Sequence, residues 1–188
     1  MRSYSGGMAI SRDEVLTAAL GILDTYGLGD LTMRRLATSL GVQAGALYWH
    51  FANKQTLLDA LGEQILAGLP AVSRGDWRAS VQVWAARLHA LLRRHRSGAE
   101  LVSGVLALRD WDASPARDVE ALLLSVGLAP ATARAAANGL LDLVLGHAAS
   151  EEQQAQLAEL GLRPPVEDDQ AGLLDEAVSI FVAGIPDA

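Results

Sequence analysis

Apolar residues along this chain recur at three- and four-residue steps almost throughout, and the alternation of half-buried strands is absent. The pattern predicts an all-α protein. Ser11 stands where it caps a first helix, with Asp13 and Glu14 favouring its positive end and Gly27 closing it. Val15, Leu16, Ala19, Leu20, Leu23 and Tyr26 form the expected buried stripe of that helix. Thr32 opens a short helix with Leu36, Ala37 and Leu40, ended by Gly41. A third short helix is expected over about Ala44 to His50, and Asn53 caps a fourth with Leu57, Leu58, Leu61, Ile65 and Leu66 on its apolar side.

Gly68, Pro70 and Gly75 then mark a connector, after which Asp76–Arg96 reads as one long amphipathic helix with Val81, Trp84, Leu88, Leu91 and Leu92 on one side. A segment around Leu101–Leu108 follows, then a helix from about Ser114 to Val126. Pro130 suits the first turn of the next helix, which runs through Ala148 to about residue 150. Gly161–Asp169 reads as a loop, and a last helix holds Leu173, Leu174, Ala177, Val178, Phe181 and Val182. These breaks divide the chain into residues 1–66 and 67–188, with no internal repeat.

Composition adds limits. With 51% apolar and 20% charged residues over 188 positions, the chain buries a substantial core. It has no cysteine, which excludes disulfides and thiolate metal sites. Without a signal-peptide pattern or an uncharged stretch of bilayer length, a soluble cytoplasmic protein with no membrane partner is expected. The net charge of −7 is uneven: residues 1–66 carry five basic against six acidic groups, the remainder ten against sixteen. The acidity therefore sits in the C-terminal part, and nucleic acid is not excluded as a partner of the N-terminal one.

The chemistry concentrates at residues 41–54. Two short helices joined at Gly41-Val42-Gln43 form a helix-turn-helix, the pair that sets a second helix in the major groove. Four rings, Tyr48-Trp49-His50-Phe51, then cluster in a chain that is only 5% Phe, Trp and Tyr, with Asn53-Lys54 just beyond. Leu47 and Phe51, one turn apart, anchor inward, while Tyr48, His50 and Lys54 are suited to phosphate. Adjacent Tyr48 and Trp49 cannot both face one core. Arg35 reads as a solvated or salt-bridged residue; Arg2 and Arg12 read equally as phosphate contacts or as a disordered arm.

Here the sequence resembles the TetR family of bacterial repressors: Leu31-Thr-Met-Arg-Arg-Leu-Ala37, Leu40-Gly-Val, Leu47-Tyr-Trp-His50 and Asn53-Lys54 through Leu57-Leu-Asp-Ala-Leu61 follow its DNA-binding signature. Residues 10–66 carry the resemblance, and Tyr-Trp-His is most like the tetracycline-repressor branch. The resemblance implies an N-terminal three-helix helix-turn-helix domain followed by a helical-bundle domain for ligand binding and dimerisation. It implies a cytoplasmic, nucleoid-associated bacterial homodimer on a palindromic double-stranded operator, released by a small-molecule effector. By position, Arg34 reaches a base edge and Gln43, Ala44, Gly45 and Ala46 face bases. Tyr48, His50 and Lys54 meet phosphate, and Thr32 is both helix cap and phosphate donor. Trp49 is assigned to structure as much as to DNA.

For the effector, the resemblance places Trp84 and Leu88 at pocket positions with Val102, Val105 and Leu106 nearby. Where the tetracycline branch carries the histidine that ligates drug-bound magnesium, this sequence has Val102, and an apolar side chain cannot bind a hard cation. The expected effector is thus an apolar or aromatic small molecule bound without metal or cofactor. The resemblance also implies that the last two long helices pair with those of a second copy. The small residues Ala137, Gly139, Gly146, Ala148 and Ala149 allow close approach there, and Asp142 and His147 are polar groups at that seam.

No catalytic constellation is visible. His50, His89, His95 and His147 are scattered, and His89 and His95, six apart, lie on different helix faces. The run Arg93-Arg94-His95-Arg96 reads as a solvated cationic helix end. Two other readings stay open: a DNA-binding regulator without a small-molecule ligand, and, disfavoured by the missing nucleophile and carboxylate motifs, a small helical enzyme.

Overall fold

The computed structural model describes residues 10–73, 75–164 and 170–186. Among these there is no strand, and no helix is long and apolar enough to cross a membrane. Arg2 and residues 165–169 of the expected loop lie outside the described residues. The helices are α1 (Arg12–Tyr26), α2 (Met33–Ser39), α3 (Ala44–Leu47), α4 (Lys54–Leu66), α5 (Trp77–Leu92), α6 (Gly98–Leu106), α7 (Arg117–Ser125), α8 (Pro130–Glu159) and α9 (Gln170–Ala183). Single 3₁₀ turns lie at Leu28–Asp30 and Trp111–Ala113. The chain forms two compact units, Met1–Leu61 and Gly62–Ala188, and the division falls inside α4.

In the first unit, the helix ends are set by local hydrogen bonds. The Ser11 hydroxyl accepts from the Glu14 N–H at 3.2 Å while the Glu14 carboxylate accepts from the Ser11 N–H at 2.7 Å, a reciprocal capping box. The Ser11 N–H, and with it the Ser11 hydroxyl at 2.8 Å, donate to the ionised form and hold the Glu14 carboxyl below its ordinary pKa. Asn53 and Thr56 form a similar exchange at the start of α4, at 2.9 and 3.2 Å. The core is Val15, Ala19, Leu23, Leu31, Leu36, Leu47, Phe51, Leu57 and Leu61. Ile22, not Tyr26, completes the buried face of α1. Tyr26 is 54% exposed, and its ring carries the Arg35 guanidinium at 4.3 Å, which in turn pairs with Asp30 at 2.9 Å.

In the second unit, α5 packs against α8 and α9, and α6 and α7 pack against α8. Its core holds Val81, Trp84, Leu88, Leu92, Leu101, Val102, Val105, Leu123, Leu140, Val144 and Leu174. α8 is 30 residues long, nine beyond the expected end near residue 150. Glu151–Glu159 has no apolar stripe to announce it, but it consists of strong helix formers. This polar half has partners: Arg96 pairs with Glu159 at 2.8 Å, and the Ala99 N–H donates to Glu152 at 2.8 Å. The cationic run after α5 is therefore in part paired with α8 and not simply solvated. α5 stops at Leu92 instead of Arg96, because the turn at Ser97, with φ +56°, redirects the chain into α6. α7 starts at Arg117, three residues after the expected Ser114, because Pro115 and Ala116 form a turn after the 3₁₀ turn that ends at Ala113. Gly139 receives the Phe181 ring of α9, so a Cβ there would stand 3.1 Å from the ring. At that position the small face of α8 already serves packing within the chain.

Glu120 ties three segments together. Its carboxylate accepts from Trp111 Nε1 at 2.7 Å and from Arg117 at 2.9 Å, with Arg134 4.0 Å away. The Trp111 bond chiefly, against the opposing effect of burial, holds its pKa below the ordinary value. A lowered carboxyl pKa stabilises the fold above the unfolded-state value and is lost as pH falls through the folded one. Glu120→Gln should therefore melt below wild type at neutral pH. That difference should shrink as pH drops through the lowered pKa, as calorimetry at stepped pH would record.

Candidate nucleic-acid interface

The turn between α2 and α3 is closed by backbone geometry. Gly41 has φ +66°, the Gly41 N–H donates to the Thr38 carbonyl at 3.2 Å, and the Val42 N–H donates to the Ala37 carbonyl at 3.0 Å. This is a Schellman ending, and a residue with a Cβ would be strained at Gly41. α2 itself starts at Thr32, whose Oγ1 accepts from the Arg35 N–H at 3.1 Å. α3 covers only Ala44–Leu47, shorter than the expected span to His50. Residues 48–50 form a turn instead, as the Leu47 carbonyl accepts from both the His50 and Phe51 N–H groups at 3.0 and 2.9 Å.

Burial sorts the aromatic cluster. Leu47 and Phe51 are buried, at 0% and 2% exposure, and they anchor the turn from below. Tyr48 is 51% exposed and Trp49 90% exposed. The structural share of the Trp49 assignment is thereby corrected: its indole packs against almost nothing, since the buried positions on either side are taken by Leu47 and Phe51. Thr32, Arg34, Gln43, Ala44, Gly45 and Lys54 are exposed as well, and Ala46 and His50 are half-buried. Arg12 places its guanidinium 5.0 Å from the centre of the Phe51 ring. The unit thus presents cationic, aromatic and amide side chains on helix ends and turns, with small residues along α3. Such a surface can approach a polyanion closely.

In the second unit, a cavity of about 660 Å³ is lined by Gly68, Pro70, Val72, Asp76, Ser80, Trp84 and Arg87 among others. Of the five residues expected around an effector, only Trp84 borders it. Leu106 lines a separate cavity of about 490 Å³ with Trp111, Asn138 and Leu145. Leu88, Val102 and Val105 are at most 1% exposed and pack in the core. Trp84 has a further property that the sequence did not signal: its Nε1 is buried and has no hydrogen-bond partner. A stranded buried donor costs about 1–3 kcal/mol.

Two polar groups of α8 have partners within the chain. Asp142 is exposed and accepts from Asn138 at 2.8 Å. His147 lies 3.5 Å from Glu151 of its own helix. On α9, Val178 is buried at 3%, whereas Leu173 and Ile180, seven residues apart, are 57% and 66% exposed.

Comparison with known proteins agrees with this geometry. The profile of "Bacterial regulatory proteins, tetR family" matches residues 15–61, and that of "Tetracyclin repressor-like, C-terminal domain" matches residues 69–182. The class C tetracycline repressor protein of Escherichia coli is 41% identical over 99 residues, covering 50% of this chain and 45% of the relative. The chain therefore spans just under half the length of the curated repressors it matches. Among solved structures, Mycobacterium smegmatis BioQ superposes with a TM-score of 0.83 at 33% identity, covering 94% of this chain and 97% of that one. A structure of BioQ with its double-stranded DNA operator gives 0.72 at 33% identity, over 91% and 99%. The TetR-Q116A protein of Acinetobacter baumannii, solved in complex with minocycline, gives 0.78 at 30% identity, over 93% and 96%. The chain belongs to the TetR family of bacterial regulatory proteins.

Proposed function

We propose that this chain is a non-enzymatic transcriptional repressor that binds a palindromic operator as a homodimer and leaves it when a small molecule binds the C-terminal domain. The observation that carries the DNA-binding reading is the sorting of residues 47–51. Leu47 and the Phe51 ring fix the turn, while the adjacent Tyr48 and Trp49 are left to solvent next to the sequence Asn53-Lys54, an aromatic pair that a partner surface would cover. The operator complex of the related BioQ supports the same use of the fold. The DNA-reading part extends to about residue 66 and the sensing part covers 67–188.

Within the head, Arg34 and Gln43 read base edges, a guanidinium and a carboxamide being the groups that can do so bidentately. Ala44, Gly45 and Ala46 allow close approach, with the two methyl groups suited to thymine. Thr32, Tyr48, Trp49, His50 and Lys54 hold the backbone, which carries no sequence information. Binding selection from a random duplex pool should return a palindrome. On that duplex Arg34→Ala should cost about 1–3 kcal/mol, and much less on random DNA. Lys54→Ala should weaken both alike and lower the salt dependence by about one phosphate per subunit. A change of preferred sequence in Lys54→Ala, with none in Arg34→Ala, would reverse the assignment.

The effector reading rests on Trp84. An apolar or aromatic molecule with a hydrogen-bond acceptor would fill the cavity that Trp84 borders, and it satisfies the buried Nε1 donor where binding shifts the lining enough to uncover that atom. Val102, buried in the core, offers nothing to a magnesium-bound drug. Release requires that the effector favour one conformation over another, whatever its affinity. Trp84→Phe keeps the ring and deletes the donor. It should weaken an inducing compound about tenfold in thermal-shift titrations and leave operator affinity without compound unchanged. Equal effector affinity in this variant would remove the donor from the account.

A further inference from the structure

We propose that His89, His147 and Glu151 form a binding site for a divalent transition-metal ion of the zinc type, clamping α5 to α8. The three residues come from two helices and converge inside the C-terminal unit. His89 Nε2 lies 2.6 Å from Glu151 Oε2, and His147 Nε2 lies 3.5 Å from Glu151 Oε1. The imidazole rings meet edge to face with centroids 5.6 Å apart. One donor atom from each residue lies within 4.8 Å of the other two.

The cluster is enclosed: the His89 and Glu151 side chains are 8% exposed and that of His147 is 18% exposed. A buried carboxylate normally fills its lone-pair directions, yet Glu151 Oε1 is buried and accepts no hydrogen bond. Two imidazoles and a carboxylate are the donor set of a three-ligand zinc site with an open fourth position. Bonds of about 2.1 Å at near-tetrahedral angles place donors roughly 3.4 Å apart. The two separations fall on different oxygens, His89 on Oε2 and His147 on Oε1. One ion is therefore seated when the Glu151 carboxylate turns a single oxygen toward both imidazoles, with one donor of each residue already within 4.8 Å of the others. When the ion enters, the proton shared between His89 Nε2 and Glu151 Oε2 leaves to solvent or passes to Nδ1, and each imidazole binds as the neutral ring.

One group opposes binding. Arg93 Nε stands 3.6 Å from Glu151 Oε2 and is a cation facing the same carboxylate, but its side chain is 49% exposed and free to turn outward. The donor set favours zinc, cobalt or nickel over magnesium or calcium, which take oxygen. Neither the helix-turn-helix nor the Trp84 cavity contributes a ligand. His147 and Glu151 are four apart on one helix, the spacing that presents two ligands on one face.

The test titrates the full chain, stripped with chelator, with zinc chloride against a chromophoric chelator and with cobalt chloride followed by its visible spectrum. One equivalent per chain is expected, with the intense d–d bands of low-coordinate cobalt. His147→Gln and His89→Gln should each lower affinity at least tenfold while circular dichroism stays helical. Arg93→Ala should raise it. Because His89 is buried and its variant risks misfolding, wild-type crystals soaked in zinc give an independent reading by anomalous scattering. A peak between α5 and α8 is expected. A peak only at His50 or His95, or wild-type binding no tighter than that of His147→Gln, overturns the site and leaves the cluster a buried histidine–carboxylate pair.

Discussion

Gly98→Ala should destabilise the C-terminal unit by about 3 kcal/mol or more, lowering the melting temperature by roughly 6–12 °C. A Cβ at this position would stand 2.2 Å from the Leu92 carbonyl oxygen and 3.2 Å from its carbon. Those are backbone atoms at the end of α5, so no rotamer change relieves the overlap. The chain would have to reopen the Ser97 turn, whose φ of +56° already holds a non-glycine residue in the left-handed region. Gly104→Ala in the same helix is the control. A Cβ there meets nothing within 4 Å, and alanine should stabilise the helix by up to about 1 kcal/mol. Thermal melts of the two variants should therefore move in opposite directions. Equal melts would mean that the α5–α6 turn yields more readily than its geometry implies.

The second large effect concerns assembly. On the proposed homodimeric reading, Leu173→Glu combined with Ile180→Glu should give a monomer and reduce operator affinity about 10²–10⁴-fold, the range lost when linked binding events become independent. Both side chains are more than half exposed and one heptad apart on α9, so charges there leave the core of the subunit intact. Val178, by contrast, is buried, and glutamate at that position should unfold the domain before it tests any interface. Sedimentation shows the oligomeric state, and circular dichroism confirms the fold. A double variant that remains dimeric, with unaltered operator binding, would place the seam elsewhere.

The helical class, the helix order and the helix-turn-helix were legible because local rules set them. Caps at Ser11, Thr32 and Asn53, the Gly41 ending and the apolar spacing of α1, α4 and α5 all depend on residues within a few positions of one another. What the sequence left out depends on partners far along the chain. Tyr26 read as core by its spacing, but Ile22 takes the buried face and the Tyr26 ring instead meets Arg35, which pairs with Asp30. The polar end of α8 lacked an apolar face, and its partners Arg96 and the Ala99 N–H lie more than fifty residues away. The cavity positions inferred from family resemblance separate for a similar reason. Trp84 and Leu106 sit on different helices beside different voids, and the residues between them fill the core. His147 and Glu151 carried a visible four-residue spacing, but nothing local brings His89, 62 positions from Glu151, to meet them.

The make-up of α3 bears on how much information one copy can extract from DNA. Ala44, Gly45 and Ala46 contribute no side-chain donor or acceptor, so on the proposed reading each half-site is specified by a few base pairs around Arg34 and Gln43 and by thymine methyl groups. A reader with so short a vocabulary gains address length mainly by repetition, and two-fold symmetry doubles it without a new contact. The same plainness leaves room for retargeting. Ala44 is exposed and its replacement disturbs no packing, so a polar residue placed there adds a letter to the recognised word without first erasing one.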